Sequence, residues 1–272
     1  MLKNLSLGLL FFGVSSCYSQ ILVNTLNHDT CLNKRFSIVF YIVLDSNYSV
    51  RSATQPTLDA IINVLNDKFK PICVSFARCS TVFIPNYSYN RWKRSVTDPA
   101  VTSNWYTEKT INFYIVDSVK DEPQYIDQRG YAYPPPLLSN NISKDVIVAE
   151  QFRSSPLTDP DFYLIIHNMG HFFGLSHTWG ELNPIPAAVP PPPSSVVTQE
   201  FADGTNSSLH GDTLRDTEAD PGLTAQELDG KGQRYIRPLD NYMSFFVLAC
   251  QFTQEQYNLM ARIIYQKRLY LH

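Results

Sequence analysis

Residues 167–177 read HNMGHFFGLSH, and these eleven positions hold three of the six histidines in the 272-residue chain. On a helix, His167 and His171 would lie on one face about one turn, roughly 5.4 Å, apart, so both imidazoles can bind one tetrahedral ion. A turn at Gly174 would return His177 to the same ion as a third ligand. The spacing therefore predicts a zinc site on these three histidines, with a fourth position open to water.

The residues before the first histidine predict the helix that carries it. Asp159 is interpreted as the N-cap, followed by Pro160 at the first helical position and Asp161 near the positive end of the helix dipole. The helix should run from about Asp161 to Phe173. Its opening, FYLII at 162–166, is apolar on every side, which predicts a helix buried at the centre of the domain.

Two further helices are predicted from apolar spacing and from end signals. Apolar residues recur at i, i+3, i+4, i+7 and i+11 between 58 and 69, as on one face of an amphipathic helix. Thr253–Gln256 has the pattern of a capping box, and Phe252 and Tyr257 are placed as a hydrophobic staple. A closing helix is therefore expected from this box to about Tyr270.

Segments rich in β-branched and aromatic residues predict the strands of a sheet. The Gly- and Pro-rich stretch RGYAYPPP at 129–136 is predicted as a loop. Strands that alternate with helices, followed by a loop-rich C-terminal half, predict an α+β (mixed α/β) fold class. The candidate strands are Phe36–Leu44, Cys73–Phe76, Thr81–Ile84, Ile111–Val116 and Val146–Ala149.

The N-terminal residues predict an exported protein. Lys3 gives a positive start, Leu5–Val14 form an apolar stretch, and small residues follow, which is typical of a signal peptide at 1–19. The remainder, 20–272, is expected to form a single domain that is secreted, extracellular or periplasmic. The alternative is a lipid anchor through Cys17, because the residues before it resemble a bacterial lipoprotein box.

Four cysteines follow the predicted signal peptide, and an even number in an exported chain permits disulfides. Cys73 and Cys79 are close in the sequence, so a local pair is plausible. Cys31 and Cys250 would then pair or stay free. Because spacing alone does not determine connectivity, all three pairings remain open.

The composition is that of a globular protein, and its charge argues against nucleic acid and membrane surfaces as partners. The chain is 44% hydrophobic and 17% charged, with a net charge of −3. Such a charge gives no electrostatic reason to expect nucleic acid or an anionic membrane surface as a partner. After the signal peptide no segment is long enough to cross a bilayer, so no transmembrane segment is expected.

The histidine motif resembles the long zinc motif H-E-x-x-H-x-x-G-x-x-H of the metzincin metalloproteases. The stretch LDNYMSFF at 239–246 is similar to their Met-turn, which would place Met243 below the zinc. Other stretches resemble the pappalysin branch of this family. They are HTWG at 177–180, DGTNSSLHGDTLRDTEADP at 203–221 and CQFTQEQYNLM at 250–260.

The resemblance implies a metzincin-type zincin domain in two parts. The upper part, to about His177, would hold a twisted mixed sheet and the active-site helix. The lower part would hold the Met-turn and the C-terminal helix, and a peptide or protein would bind in the cleft between them, with zinc as the cofactor. Some pappalysins also bind calcium. Asp212, Asp216 and Thr217 offer suitable oxygen ligands, although Asp212 and Asp216 could instead cap turns.

Two positions depart from the family pattern at residues that carry the chemistry. Asn168 stands where the family has a glutamate general base, and a neutral amide does not accept a proton from zinc-bound water. Loss of such a base costs roughly 10²–10⁴ in rate, or about 3–5 kcal/mol of barrier. Phe245 stands where the pappalysin pattern has a tyrosine, and loss of one oxyanion donor costs about 10²-fold or more.

Two functional hypotheses follow from this pattern. The first is a pseudopeptidase that binds zinc and holds peptides in its cleft, with lost or weak peptide-bond hydrolysis. The alternative is an active zinc-dependent metalloendopeptidase that uses a different base, such as Glu181 in the loop after the third histidine. Whether the chain is an enzyme therefore depends on what replaces the glutamate.

Overall fold

The computed structural model describes residues 31–50, 53–120, 129–135, 144–152, 157–180, 199–222, 227–244 and 249–272. The predicted signal peptide, Cys17, Glu181 and Phe245 lie outside these residues. The strands are β1 (Lys34–Val43), β2 (Val74–Ile84), β3 (Arg91–Trp92), β4 (Ile111–Val116), β5 (Ser118–Val119), β6 (Gly130–Ala132) and β7 (Val146–Glu150). The helices are α1 (Gln55–Lys68), α2 (Thr97–Thr102), α3 (Asp159–Phe172) and α4 (Gln254–Ile263), with a π-helical turn at Ile264–Arg268.

Five of the described strands form one sheet in the order β2-β1-β4-β7-β6. The first four run parallel, whereas β6 is antiparallel to β7 at the edge. Strand β4 is buried at every position, as expected for a parallel strand that is covered on both faces. One face of the sheet packs against α1 and α3, and the other packs against a smaller core around Trp92 and Tyr114. The predicted mixed α/β class is confirmed.

Helix α3 begins earlier than the sequence predicted, and its N-cap is Thr158 rather than Asp159. Thr158 has an extended backbone, and its N–H donates to the Asp161 carboxylate at 3.3 Å. Asp161 therefore sits three positions into the helix and reaches back to the cap, so the chain becomes helical at Asp159. The prediction that this helix is buried is correct, since its residues from Tyr163 to Phe172 are all buried.

The stretch predicted as a loop at 129–136 contains strand β6 instead. Gly130 pairs with Ala149, and Tyr131 with Val148. The Tyr131 ring is buried, and its hydroxyl donates to Asp98 at 2.8 Å. This tertiary contact outweighs the local preference of a Gly- and Pro-rich sequence for a loop.

The two short strands predicted at 73–84 are one continuous strand, β2. The register with β1 shifts by one residue, because Ile38 pairs with Arg78 while the next residue, Val39, pairs with Ser80. Cys79 is the extra residue of this bulge and has no partner in the ladder. The irregularity explains why the sequence pattern is interrupted there.

The local Cys73–Cys79 pair that the spacing allowed does not form, because the structure pairs Cys31 with Cys73 at a Cα separation of 4.9 Å. Cys79 lies in the extended strand that starts after Cys73, and six extended residues span roughly 20 Å. Parallel pairing places Lys34 opposite Val74, which brings the preceding segments and their cysteines together. Cys79 is free and exposed, and Cys250 is also disulfide-bonded.

The start of α4 agrees with the sequence prediction. Gln256 N–H donates to Thr253 Oγ1 at 3.3 Å, and Thr253 N–H donates to Gln256 Oε1 at 3.0 Å. The rings of Phe252 and Tyr257 meet edge to face at 5.5 Å, which forms the predicted staple. None of the helices in the described part of the chain has both the length and the apolar character to cross a membrane.

Candidate metal centre

Three histidine side chains converge in the buried interior beside the sheet. The Nε2 atom of His171 lies 3.1 Å from that of His167 and 3.1 Å from that of His177, and the third separation is 3.3 Å. Tetrahedral zinc with Zn–N bonds of about 2.0–2.1 Å requires nitrogen separations of about 3.3 Å. The three donors therefore fit one zinc ion, and they form the only such cluster in the described residues.

Backbone carbonyls orient the two helical histidines. Nδ1 of His167 donates to Tyr242 O at 2.6 Å, and Nδ1 of His171 donates to Leu175 O at 2.8 Å. A carbonyl oxygen can only accept, so the ring proton stays on Nδ1 and leaves the Nε2 lone pair for the metal. The local structure thus presents both rings in the tautomer that zinc requires.

The third histidine is returned to the helix by a turn that begins at Gly174, as predicted. Gly174 has a φ of +94°, a left-handed conformation that favours glycine. Thr178 N–H donates to Met243 O at 3.1 Å, which fixes the returning segment. The ring of His177 stacks on that of Trp179 with centroids 4.2 Å apart. The position of His177 is therefore fixed by the turn at Gly174 before it and by the contacts of Thr178 and Trp179 after it.

Burial keeps the three imidazoles neutral. It lowers the pKa of His167 to about 4, and it lowers the pKa of His171 and His177 well below the ordinary value, with a further contribution from the neighbouring imidazoles. A neutral imidazole is the form that binds a metal, so zinc need not displace a proton near neutral pH.

The predicted Met-turn lies directly against α3. A Cβ atom at Gly170 would lie 2.6 Å from Met243 Sδ, so glycine at this position allows the helix and the methionine to approach. Met243 N–H donates to Asn241 Oδ1 at 2.8 Å. The Asn241 amide is paired in turn with that of Gln256, at 3.0 and 3.2 Å, which joins the turn to the capping box of α4.

Asn168 lies between the two helical ligands and is 1% exposed. Its Nδ2 donates to Leu164 O at 2.9 Å, while Oδ1 has no hydrogen-bond partner among the described residues. A Cβ atom at Gly130 would lie 3.0 Å from this Nδ2, so the amide packs against edge strand β6. An amide held in this way can donate or accept a hydrogen bond, but it cannot take up a proton.

Two of the three residues predicted as calcium ligands accept backbone hydrogen bonds in the structure. Asp212 accepts from Leu214 N–H at 3.0 Å, and Asp216 accepts from Glu255 N–H at 2.7 Å. Asp212 thus caps a turn, as in the alternative interpretation, whereas Asp216 caps the first turn of α4. Burial raises the pKa of Asp212 to about 6. A calcium site formed by these residues with Thr217 stays a prediction.

Three residues around this region were not predicted from the sequence: Tyr163 and Gly170 on α3, and the buried acid Glu200. Tyr163 could have been found, because it lies one turn before His167 on the same helix face. Glu200 gave no signal, because only the fold brings it near other acids. Burial, followed by the charges of Asp212 and Asp220, raises its pKa to about 8.

A buried three-histidine centre, with two ligands on a helix beside a mixed sheet and the third on the turn that follows, defines a zinc metallopeptidase fold of the metzincin type. The chain belongs to the Peptidase_M43 family, described as pregnancy-associated plasma protein-A, whose sequence model matches residues 95–265. This match confirms the resemblance to the pappalysins. A search of curated proteins found no match.

Two solved structures of mirolysin are similar to this chain. Mirolysin in complex with compound 9 is 15% identical with a TM-score of 0.58, over 85% of this chain and 91% of that one. Mature mirolysin of Tannerella forsythia in complex with a cleaved peptide is 16% identical with a TM-score of 0.55, over 83% and 89%. At these sequence identities the structural similarity supports the fold alone.

Proposed function

We propose that this protein is a secreted pseudopeptidase of the pappalysin type, which binds zinc and peptides but hydrolyses them weakly or not at all. The observation that carries the proposal is Asn168, which occupies the position of the general base. Its amide is bonded to Leu164 O of its own helix, and a neutral amide accepts no proton.

The histidines and Asn168 have separate roles in this proposal. His167, His171 and His177 would hold zinc, which when bound supplies Lewis-acid polarisation of a water or carbonyl oxygen. Hydrolysis also requires a group that takes a proton from the attacking water and passes it to the leaving amine. Asn168 does not supply that transfer, and Phe245 lacks the hydroxyl that would stabilise the oxyanion. Each loss alone costs about 10²-fold or more.

Strand β6 is the element that we expect to bind a peptide. Arg129 O accepts from Glu150 N–H, and Tyr133 N–H donates to Val146 O, so these odd-numbered residues bond inward to β7. By strand alternation the backbone groups of Gly130 and Ala132 are directed to the outer edge. An extended peptide could add there as a further strand.

The alternative function is an active metalloendopeptidase with a different base. It is favoured by the intact histidine centre and by the position of Glu181, which follows Gly180 directly in the sequence. Gly180 N–H donates to His177 O at 2.8 Å, so the described end of this segment is tied to the third ligand. This hypothesis requires cleavage that is lost on Glu181→Gln.

Export is proposed from the N-terminal pattern together with the Cys31–Cys73 disulfide, since disulfides persist in oxidising compartments. A lipid anchor through Cys17 is the minority form of the same proposal. The partner that we propose is a peptide or protein in the cleft. No nucleic acid is expected as a partner.

The proposal can be tested with the zinc-loaded protein, two labelled peptide assays and metal analysis. A quenched peptide library should show little cleavage, whereas fluorescence anisotropy should show binding of extended peptides. Ala132→Pro removes an outward N–H on an edge strand and should weaken that binding. His171→Ala controls for the metal and should lower the zinc content. Chelator-sensitive cleavage at rates typical of an active peptidase would overturn the proposal.

A further inference from the structure

One face of α3 contacts three consecutive residues of the Met-turn. Tyr163, His167 and Gly170 stand at i, i+4 and i+7, so they lie along one side of the helix. Only the middle residue of this stripe is a metal ligand. The contacts are Tyr163 with Ser244 O, His167 with Tyr242 O, and Gly170 with Met243 Sδ.

The hydroxyl of Tyr163 connects the first ligand to the turn. It donates its hydrogen to Ser244 O, and its oxygen lies 3.2 Å from Nδ1 of His167. That Nδ1 also donates to Tyr242 O at 2.6 Å. The hydrogen on Nδ1 is therefore shared between two oxygen acceptors, one from the backbone and one from a side chain.

The surroundings of His171 differ from those of His167. Its Nδ1 donates to Leu175 O at 2.8 Å, a carbonyl in the turn that follows its own helix. His167 instead depends on oxygens held by the Met-turn and by Tyr163. An additional acceptor at Nδ1 fixes the ring and increases the basicity of Nε2, the atom that faces the metal.

We propose that Tyr163 is a positioning residue, which sets zinc affinity by holding His167 and the Met-turn in register. Its hydroxyl lies on the Nδ1 side of the imidazole and is bonded to Ser244 O, so it acts on the metal only through His167. It therefore does not replace the hydroxyl that Phe245 lacks. The inference rests on the histidine centre and is independent of whether peptides are hydrolysed.

Tyr163→Phe tests the role, because it removes the hydroxyl and retains the ring. Zinc affinity, measured by competition with a chromogenic chelator, should fall about 10–100-fold. The visible spectrum of the cobalt-substituted protein should also change, since the geometry at His167 relaxes. Tyr114→Phe is the matched control. Its hydroxyl likewise donates to a backbone carbonyl, Trp105 O, but on the other face of the sheet.

The control variant should retain parental zinc affinity and the parental cobalt spectrum, even if both variants lose similar thermal stability without metal. Parental affinity in Tyr163→Phe, or an equal loss in Tyr114→Phe, would overturn the proposal. If Tyr163→Phe does not fold, 2,3-difluorotyrosine at position 163 retains ring and hydroxyl while weakening the oxygen as an acceptor. Zinc affinity should then fall, and an unchanged affinity would likewise overturn the proposal.

Discussion

Asn168 is a residue that packing alone does not explain. It lies in the middle of a buried helix with its Nδ2 bonded to a backbone carbonyl and its Oδ1 without a partner among the described residues. A buried polar atom without a partner costs about 1–3 kcal/mol. Asparagine is also a poorer helix former than glutamate, so helix stability does not favour the exchange.

An apolar residue at this position should therefore stabilise the fold. We expect Asn168→Leu to raise the free energy of unfolding of the metal-free protein by about 1 kcal/mol, because it removes the unsatisfied oxygen. Denaturant unfolding with a chelator present measures this change. Asn66→Leu is a matched control in α1, whose amide makes two bonds with the Phe76 backbone, and it should destabilise. A loss of stability in Asn168→Leu would show that the amide has unrecognised partners.

At the scale of elements, local signals located some boundaries and not others. The start of α4 was predictable because Thr253 and Gln256 cap each other within a single turn. Strand β6 was not predictable, because Tyr131 is fixed by Asp98 and Trp92, which are more than thirty residues away. Where contacts between distant residues determine an element, its own sequence carries a weak signal.

The metal centre was predictable for the same reason as the capping box. His167 and His171 lie one helical turn apart, and the turn at Gly174 returns His177 to them, so local geometry brings the three ligands together. The second layer around them was not predictable, because Ser244 and Met243 approach α3 only after the chain has folded. The connectivity of the disulfide was not predictable for the same reason, since the pairing of β1 with β2 determines which cysteine contacts Cys73.

The capping box of α4 also supports the Met-turn, and two substitutions separate these roles. Thr253→Ala should cost about 1 kcal/mol, because it removes only a helix cap. Gln256→Ala should cost more, because it also leaves the buried Asn241 amide without its partner. Chemical denaturation of both variants measures the difference. Equal losses would mean that the amide pair contributes nothing to stability.

At the scale of the whole molecule, a buried acid should make stability depend on pH. Burial and two neighbouring acids raise the pKa of Glu200 to about 8, against 4.5 for an ordinary glutamate. Between these values the folded protein retains a proton that the unfolded chain releases. Glu200 should therefore lower the free energy of unfolding as the pH rises from about 4.5 to about 8. The three buried histidines, whose folded pKa values are lowered, act in the opposite direction up to about pH 6.5, so the net decline in the metal-free protein is expected above that pH.

Glu200→Gln tests this dependence, because the amide has the shape of the neutral acid and does not ionise. We expect the variant to lose much of the decline in the free energy of unfolding between about pH 6.5 and pH 8, measured by denaturation in chelator. Glu227→Gln is the control, since Glu227 is an exposed residue paired with Arg234. If the free energy of unfolding depends on pH in the same way in the parent protein and in Glu200→Gln, Glu200 does not hold the proton.

At this scale we propose that a pappalysin-type scaffold retains its zinc ligands and lacks its proton-transfer group. The most direct measurement compares the parent protein with Asn168→Glu on one peptide library, with zinc quantified in both. The account predicts equal zinc content and cleavage at least about 100-fold faster in the variant, inhibited by chelators. Chelator-sensitive cleavage by the parent protein at the same rate as Asn168→Glu would contradict it.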